Sequence, residues 1–232
     1  MRIAAALSTV PTAARAATAR AVVERILPQV DVLHVHLVEE PPAWTRHRRV
    51  VVHRYARGTG PAVRLTVVPN ADVVLFLDDD MVYPSDYAKV CASHLERLGA
   101  GIAIGFHASH WPAGAPPRFR ARKLLSYSDA VLRDEPVTMV SMITASMHVA
   151  DLRRIDRAVP AQFRFEDDIW LSAACARARI RMVRPASRAG WIASTPAAAE
   201  GIFSRARADG FVARDAAIRA AVALGGWRLT RP

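Results

Sequence analysis

Five apolar residues, Val73-Val74-Leu75-Phe76-Leu77, run without a spacer into three adjacent aspartates, Asp78, Asp79 and Asp80. A short, continuously apolar run of this kind predicts a strand covered on both faces, as in a parallel sheet with helices on each side. The carboxylates then stand at the strand's carboxyl end, the edge of an open α/β sheet where ligands bind. Neighbouring acids repel one another, so a cation is expected to offset them. Alternate side chains of a strand share a face, which predicts that Asp78 and Asp80 point together and Asp79 points away. Two carboxylates so placed suit a hard divalent cation, Mg²⁺ or Mn²⁺. A solvated acidic turn is the plain alternative.

The surrounding pattern agrees with such a sheet. Residues 3–7, 32–38 and 49–53 read as strands, and His34 and His36 alternate along the second as sheet-surface residues. A helix is predicted from Thr12, after Pro11, with Ala16, Ala19, Val22, Val23 and Ile26 at helical spacing, ending before Pro28. Ser85 is placed to cap a second helix that runs to Leu98 and stops at Gly99 and Gly101. Strands follow at 102–106, 137–142 and 181–183, with a helix at 169–178, a surface loop at 110–117 and one alanine-rich helix at 206–224. No internal repeat is visible. Strands alternating with helices predict an α/β three-layer sandwich around a mostly parallel sheet. At 232 residues one domain is expected, with a core over 2–192 and a helical part over 200–232.

Composition excludes several classes. Apolar residues make up 52% of the chain, too many for a disordered one. No apolar run approaches the roughly 18 residues of a membrane-spanning helix. The opening Met1-Arg2-Ile3-Ala4-Ala5-Ala6-Leu7 resembles the start of a signal peptide, but its apolar stretch is short and a buried strand is the preferred reading. Cys91 and Cys175 form no redox or zinc spacing, and a reducing, cytoplasmic setting fits them. The net charge of +11 is almost all arginine, with Lys89 and Lys123 the two lysines. The basic residues are scattered and not interleaved with aromatics, so no nucleic acid partner is expected, and at most peripheral membrane association.

A second acidic cluster, Phe165-Glu166-Asp167-Asp168-Ile169-Trp170, opens the predicted helix at 169–178. Acids there complement a helix dipole and need no further role. Two acidic clusters in one α/β domain nevertheless suggest a site in which one holds a metal and the other acts as a base.

Taken together, these segments resemble glycosyltransferases of the GT-A fold, family 2 in particular. Leu75-Phe76-Leu77-Asp78-Asp79-Asp80 with Tyr83-Pro84 is similar to that family's D-x-D motif, and Asp167-Asp168-Ile169-Trp170-Leu171-Ser172 to the acidic motif carrying its base. Ser8-Thr9-Val10-Pro11 with Arg15 resembles the first loop beside the nucleotide, and Gly60-Pro61-Ala62-Val63-Arg64 a Gly-Pro segment ending in a basic residue. The resemblance spans residues 2–192. It departs from the family at Ser141-Met142-Ile143-Thr144-Ala145-Ser146, which lacks the usual glycines, and after the second strand, where Val38 precedes Glu39 and Glu40.

The resemblance implies an inverting, metal-dependent transfer of a sugar from a nucleotide-diphosphate donor to a glycan or other hydroxyl acceptor, in a setting such as bacterial polysaccharide synthesis. It assigns Asp80, assisted by Asp78, to Mn²⁺ or Mg²⁺. Asp168 becomes the base, with Asp167 next and Glu166 third. Thr9, Pro11, Arg15, Arg64, Asp78 and Asp79 fall on the donor, although Arg15 and Arg64 read equally well as surface arginines. His148 falls where some related enzymes place a polar residue near the donor, while Trp170 reads as core and Trp191 as core or a sugar-stacking ring. A metal-dependent hydrolase or nuclease, and a non-catalytic GT-A-like binding domain, are the competing readings.

Overall fold

The computed structural model describes residues 1–10, 13–38 and 40–230. The predicted helix start at Thr12 therefore lies outside the described residues, as do Pro11 and Glu39. In chain order the strands are β1 Ile3–Thr9, β2 Val32–Leu37, β3 Val50–Arg54, β4 Val73–Asp78, β5 Met81–Val82, β6 Ile102–Gly105, β7 Ala108–His110, β8 Lys123–Leu125, β9 Glu135–Val137, β10 Met139–Val140, β11 Ala145–His148, β12 Arg181–Arg184 and β13 Ala193–Ser194. The helices are α1 Ala13–Ile26, α2 Tyr87–Leu98, α3 Val149–Leu152, α4 Asp167–Arg177, α5 Ile202–Ala208 and α6 Val212–Ala223.

Among the described residues eight strands form one sheet in the order β3-β2-β1-β4-β11-β6-β12-β9. The β3-β2-β1-β4 half is parallel throughout, and β6 and β12 are also parallel. Strands β11 and β9 run against their neighbours. Alternation along β4 shows why the sheet lies between two layers. Val73, Leu75 and Leu77 join a cluster with Val22, Val23 and Ile26 of α1 and Cys91 and Leu95 of α2. Val74 and Phe76 join the opposite cluster with Ile169 and Trp170 of α4 and Ile218 of α6. This is the expected three-layer α/β sandwich.

Several local expectations change. The α2 helix begins at Tyr87 with Asp86, not Ser85, in the cap position, and the Asp86 carboxylate accepts the Trp191 indole N–H at 3.0 Å. The apolar stretch 137–142 is not one strand. It divides at the buried Thr138, whose hydroxyl donates to Leu229 O at 2.8 Å, so β9 joins the main sheet and β10 pairs with β7. The long C-terminal helix is broken at Gly210 and Phe211, both with positive φ (72° and 66°), into α5 and α6. The predicted loop at 110–117 begins with the last residue of β7, and Trp111 in it is buried. His148 sits opposite Val73, at the amino end of β4, far along the sheet from the acids.

His34 and His36 do share a face, but His36 is buried, not superficial. Their rings interleave with His53 of β3 and with Tyr55, at centroid separations of 5.2, 4.7 and 5.7 Å. Burial, then the neighbouring His53, lowers His36 to about 2 and His34 to about 4. Below the ordinary histidine pKa the unfolded chain binds these protons and the folded one does not. The stability they allow is therefore complete above about pH 6.5 and is lost as pH falls towards those lowered values. Between pH 6.5 and 5, His36 alone is expected to cost on the order of 2 kcal/mol. Melting curves of wild type and His36→Phe across that interval check this: the variant should lose less, and parallel losses would contradict it.

Candidate active site

The carboxyl ends of β1, β2 and β4 open onto a cleft of about 870 Å³. Its geometry starts at Gly60, whose φ of +81° favours glycine and whose Cβ, were there one, would lie 2.1 Å from the carbonyl oxygen of Arg164. That close approach seats the Pro61–Leu65 turn against the segment leading into α4, with Ala62 N–H donating to Arg164 O at 3.3 Å. Arg64 is carried inward by this turn and is 2% exposed.

Arg64 joins the two acidic clusters. Its Nη1 donates to Asp78 Oδ1 at 2.6 Å and to Leu77 O at 2.5 Å, and its Nη2 donates to Asp167 Oδ2 at 2.7 Å. Burial works against its charge, but the two carboxylates outweigh it and hold the guanidinium more firmly protonated than usual. Asp78 is pushed up to about 7 by burial, with Arg64 opposing. Beneath the turn, the buried Tyr83 hydroxyl accepts Asp78 N–H at 2.9 Å and donates to Ile143 O at 2.7 Å.

The strand ends at Asp78, so the alternation expected for the triplet stops there. All three acids line the cleft, and Asp79 is the most buried of them. It accepts the Thr9 hydroxyl at 2.6 Å and a hydrogen bond from Arg15 Nη1. Burial raises its pKa against the pull of Arg15. Asp80 is half-buried rather than exposed. Its Oδ2 accepts Arg15 Nη2 at 3.2 Å, and its main-chain oxygen accepts Thr195 N–H at 2.8 Å. Much of the cation expected beside the triplet is therefore supplied by Arg15 and Arg64.

The second cluster separates into three environments. Glu166 occupies the cap position of α4 and pairs with Arg214 of α6 at 3.1 Å, yet burial lifts it to about 7. Asp167 is taken by Arg64. Asp168 Oδ1 accepts Met142 N–H at 2.7 Å and the Ser141 hydroxyl at 3.0 Å, so the glycine-free loop after β10 holds it. Burial first, then Asp167, raises the pKa of Asp168.

Thr9, Arg15, Arg64, Asp78, Asp79, Asp80, Asp167 and Asp168 thus all line one cleft. Trp170 and Trp191 are buried, Trp191 against Tyr87 and Phe106. Sequence reasoning missed Tyr55, Arg122 and Arg214 on the cleft wall. Two of these are arginines in an arginine-rich chain, with no local pattern to mark them. Among the described residues no three His, Cys, Asp or Glu side chains form an all-protein metal cage. Mg²⁺ and Mn²⁺ in phosphate sites need only one or two carboxylates, with water and substrate oxygens supplying the rest. Asp80 suits that need, since its Oδ1 has no protein partner among the described residues.

No family model and no curated protein matches the sequence. The structure does find relatives. A 1–349 fragment of Staphylococcus aureus TarS superposes with a TM-score of 0.53 at 13% identity, over 84% of this chain and 60% of that one. A longer TarS structure gives 0.55 at 14%, over 84% and 37%. TarS has the GT-A fold. So does this chain. It spans less than two thirds of both TarS chains. A Mycobacterium tuberculosis glucosyl-3-phosphoglycerate synthase aligns at 18% identity over 45% of this chain and 42% of its own, with a TM-score of 0.36, too partial a match to argue from. Asp78 ends β4 at the carboxyl edge of the sheet, and Asp167 at the start of α4 meets it through Arg64. No helix among the described residues is long and apolar enough to cross a membrane.

Proposed function

We propose that this chain is a glycosyltransferase that moves a sugar from a nucleoside-diphosphate donor to a hydroxyl acceptor with inversion, using Mn²⁺ or Mg²⁺. The observation that carries the reading is the pair of carboxylates, Asp80 in the turn after β4 and Asp168 at the start of α4, in one cleft of a GT-A sheet. Asp80, with Asp78 behind it, would hold the cation, which supplies Lewis-acid stabilisation of the leaving diphosphate when bound. Arg15, fixed by Asp79 and Asp80, is set to meet phosphate oxygens, as is Thr9 beside it. Asp168 keeps its orientation through Met142 and Ser141 and removes the acceptor proton. Burial raises its pKa, which makes its carboxylate a stronger base than a solvated aspartate. Arg64 holds Asp78 and Asp167 in register with each other.

Screening nucleotide sugars for metal-dependent release of free nucleoside diphosphate tests this reading. One donor should give release that a chelator stops, and a blank across all common donors would count against it. Asp80→Asn is expected to abolish metal-dependent donor binding and leave the fold intact. Equal calorimetric affinity for wild type and variant in Mn²⁺ would remove the triplet from the metal site. The buried Asp79, by contrast, is expected to tolerate asparagine poorly, losing about 2 kcal/mol as the charge opposite Arg15 disappears. Chemical denaturation of Asp79→Asn measures that loss.

A further inference from the structure

The cleft holds a second set of charges on the side of Asp168. Arg122, just after the Phe119–Ala121 turn, and Arg214 of α6 both lay their guanidinium groups over the ring of Phe119, at 3.4 and 4.7 Å from its centroid. Both line the cavity. Glu166 answers the charge of Arg214. Arg122 has no ion-pair partner among the described residues: Nη1 donates to Phe119 O at 2.6 Å, and Nε is buried with no hydrogen-bond partner. The acid whose field reaches it is Asp168, which is held instead by Met142 and Ser141.

His107 lines the same wall, and its Nδ1 is buried without a partner. Burial, and after it Arg122, Arg184 and Arg214, hold this ring neutral, down at about 3. Burial and the like charge of Arg214 also bring Arg122 down to about 10. A cation kept in a partly desolvated wall without a counter-ion costs stability. A ligand that brings an oxyanion recovers that cost, and planar guanidinium groups match carboxylate and phosphate oxygens.

We propose that the acceptor carries an anionic group, phosphate or carboxylate, which Arg122 and Arg214 bind beside Asp168. This rests on the glycosyltransferase reading and adds the acceptor's chemical class to it. The donor end of the cleft, at Arg15 and Asp80, is built from other residues. Anchoring the anion at Arg122 holds an acceptor hydroxyl on the side of the cleft where Asp168 stands, and the neutral His107 Nδ1 offers one more hydrogen bond. The exposed Phe203, and Tyr127 beside His107, also line the cleft and give it apolar surface for a sugar or polyol.

The test follows the melting temperature of the full chain, with UDP and Mg²⁺ present, against glucose, glucose 6-phosphate and glucuronate. Wild type should show a saturable rise with one or both anions and none with glucose; the larger of the two rises separates phosphate from carboxylate. Arg122→Met keeps an apolar stem on Phe119 and removes an unanswered charge. It should fold, melt no lower than wild type without ligand, and lose at least tenfold in apparent affinity for the anion. Arg122→Lys, which keeps the charge, should retain part of the response. Equal rises in wild type and Arg122→Met would mean adsorption to the basic surface and overturn the proposal, as would no rise with either anion. The response to UDP with Mg²⁺ alone, expected in wild type and Arg122→Met alike, keeps the two readings apart. A wild type that responds to none of UDP, GDP, ADP, CDP and TDP with Mg²⁺ defeats the donor reading independently of the anions.

Discussion

Asp168→Asn is expected to lower turnover by about 10²–10⁴-fold, the usual contribution of a positioned general base, while nucleotide-sugar binding persists. Donor binding persists because it is assigned to Asp80, Arg15 and Thr9, and none of these touches Asp168. Stability should change little. The asparagine oxygen still accepts from Met142 N–H and the Ser141 hydroxyl, and the cap position of the helix belongs to Glu166. Had Asp168 been the cap, the cost would have been about 1 kcal/mol of stability with chemistry untouched. Donor titration, melting temperature and product formation on this single variant separate the two roles. Near-normal turnover in the folded protein would move the base to Asp167 or Glu166. Both are already engaged, Asp167 by Arg64 and Glu166 by Arg214. Normal turnover in all three variants would end the mechanism.

Arg64→Met carries the largest expected loss of stability, about 3–5 kcal/mol, or on the order of 10 °C in melting temperature. Removing the guanidinium leaves Asp78 and Asp167 facing each other in a buried setting with no shared counter-ion. Breaking a buried pair from one side costs more than the pair is worth, because the remaining charge stays desolvated. The double variant Arg64→Met with Asp167→Asn should recover part of the loss, since one of the stranded charges is then gone. Equilibrium denaturation of the two single variants and the double variant measures that coupling. A loss below about 1 kcal/mol for Arg64→Met, with no recovery in the double variant, would show that the bridge between the clusters carries little energy.

Features written in contiguous residues are legible in the amino-acid sequence. The β4 run and its acids, β1 to β3, α1 and α4 all announce themselves by local periodicity, because each buries a face set by its own spacing. The position of the acids follows from the rule that ligands meet an α/β sheet at its carboxyl edge. The middle of the sheet is not legible in this way. The short strand β11, Ala145–His148, alternates apolar and polar residues over only four positions, too few to mark a strand, yet it lies between β4 and β6. What makes it a strand is the pair of open edges on either side, which exist only once those neighbours have formed. The split between β9 and β10 has the same origin, since one residue, Thr138, separates pairing partners in different sheets.

The site divides along the same line. The sequence by itself determined which carboxylates would gather and at which edge, because strand ends and helix starts are local events. It could not determine their counter-charges. Arg64 reaches Asp167 across 103 positions, and Arg214 on the last helix reaches back to Glu166. It could not determine the order of burial either. Strand alternation turned Asp79 away from its neighbours, whereas the turn that begins after Asp78 buries it against Thr9 and Arg15. Pairing and desolvation depend on which distant segments close over a group, and that is decided only when the chain has folded.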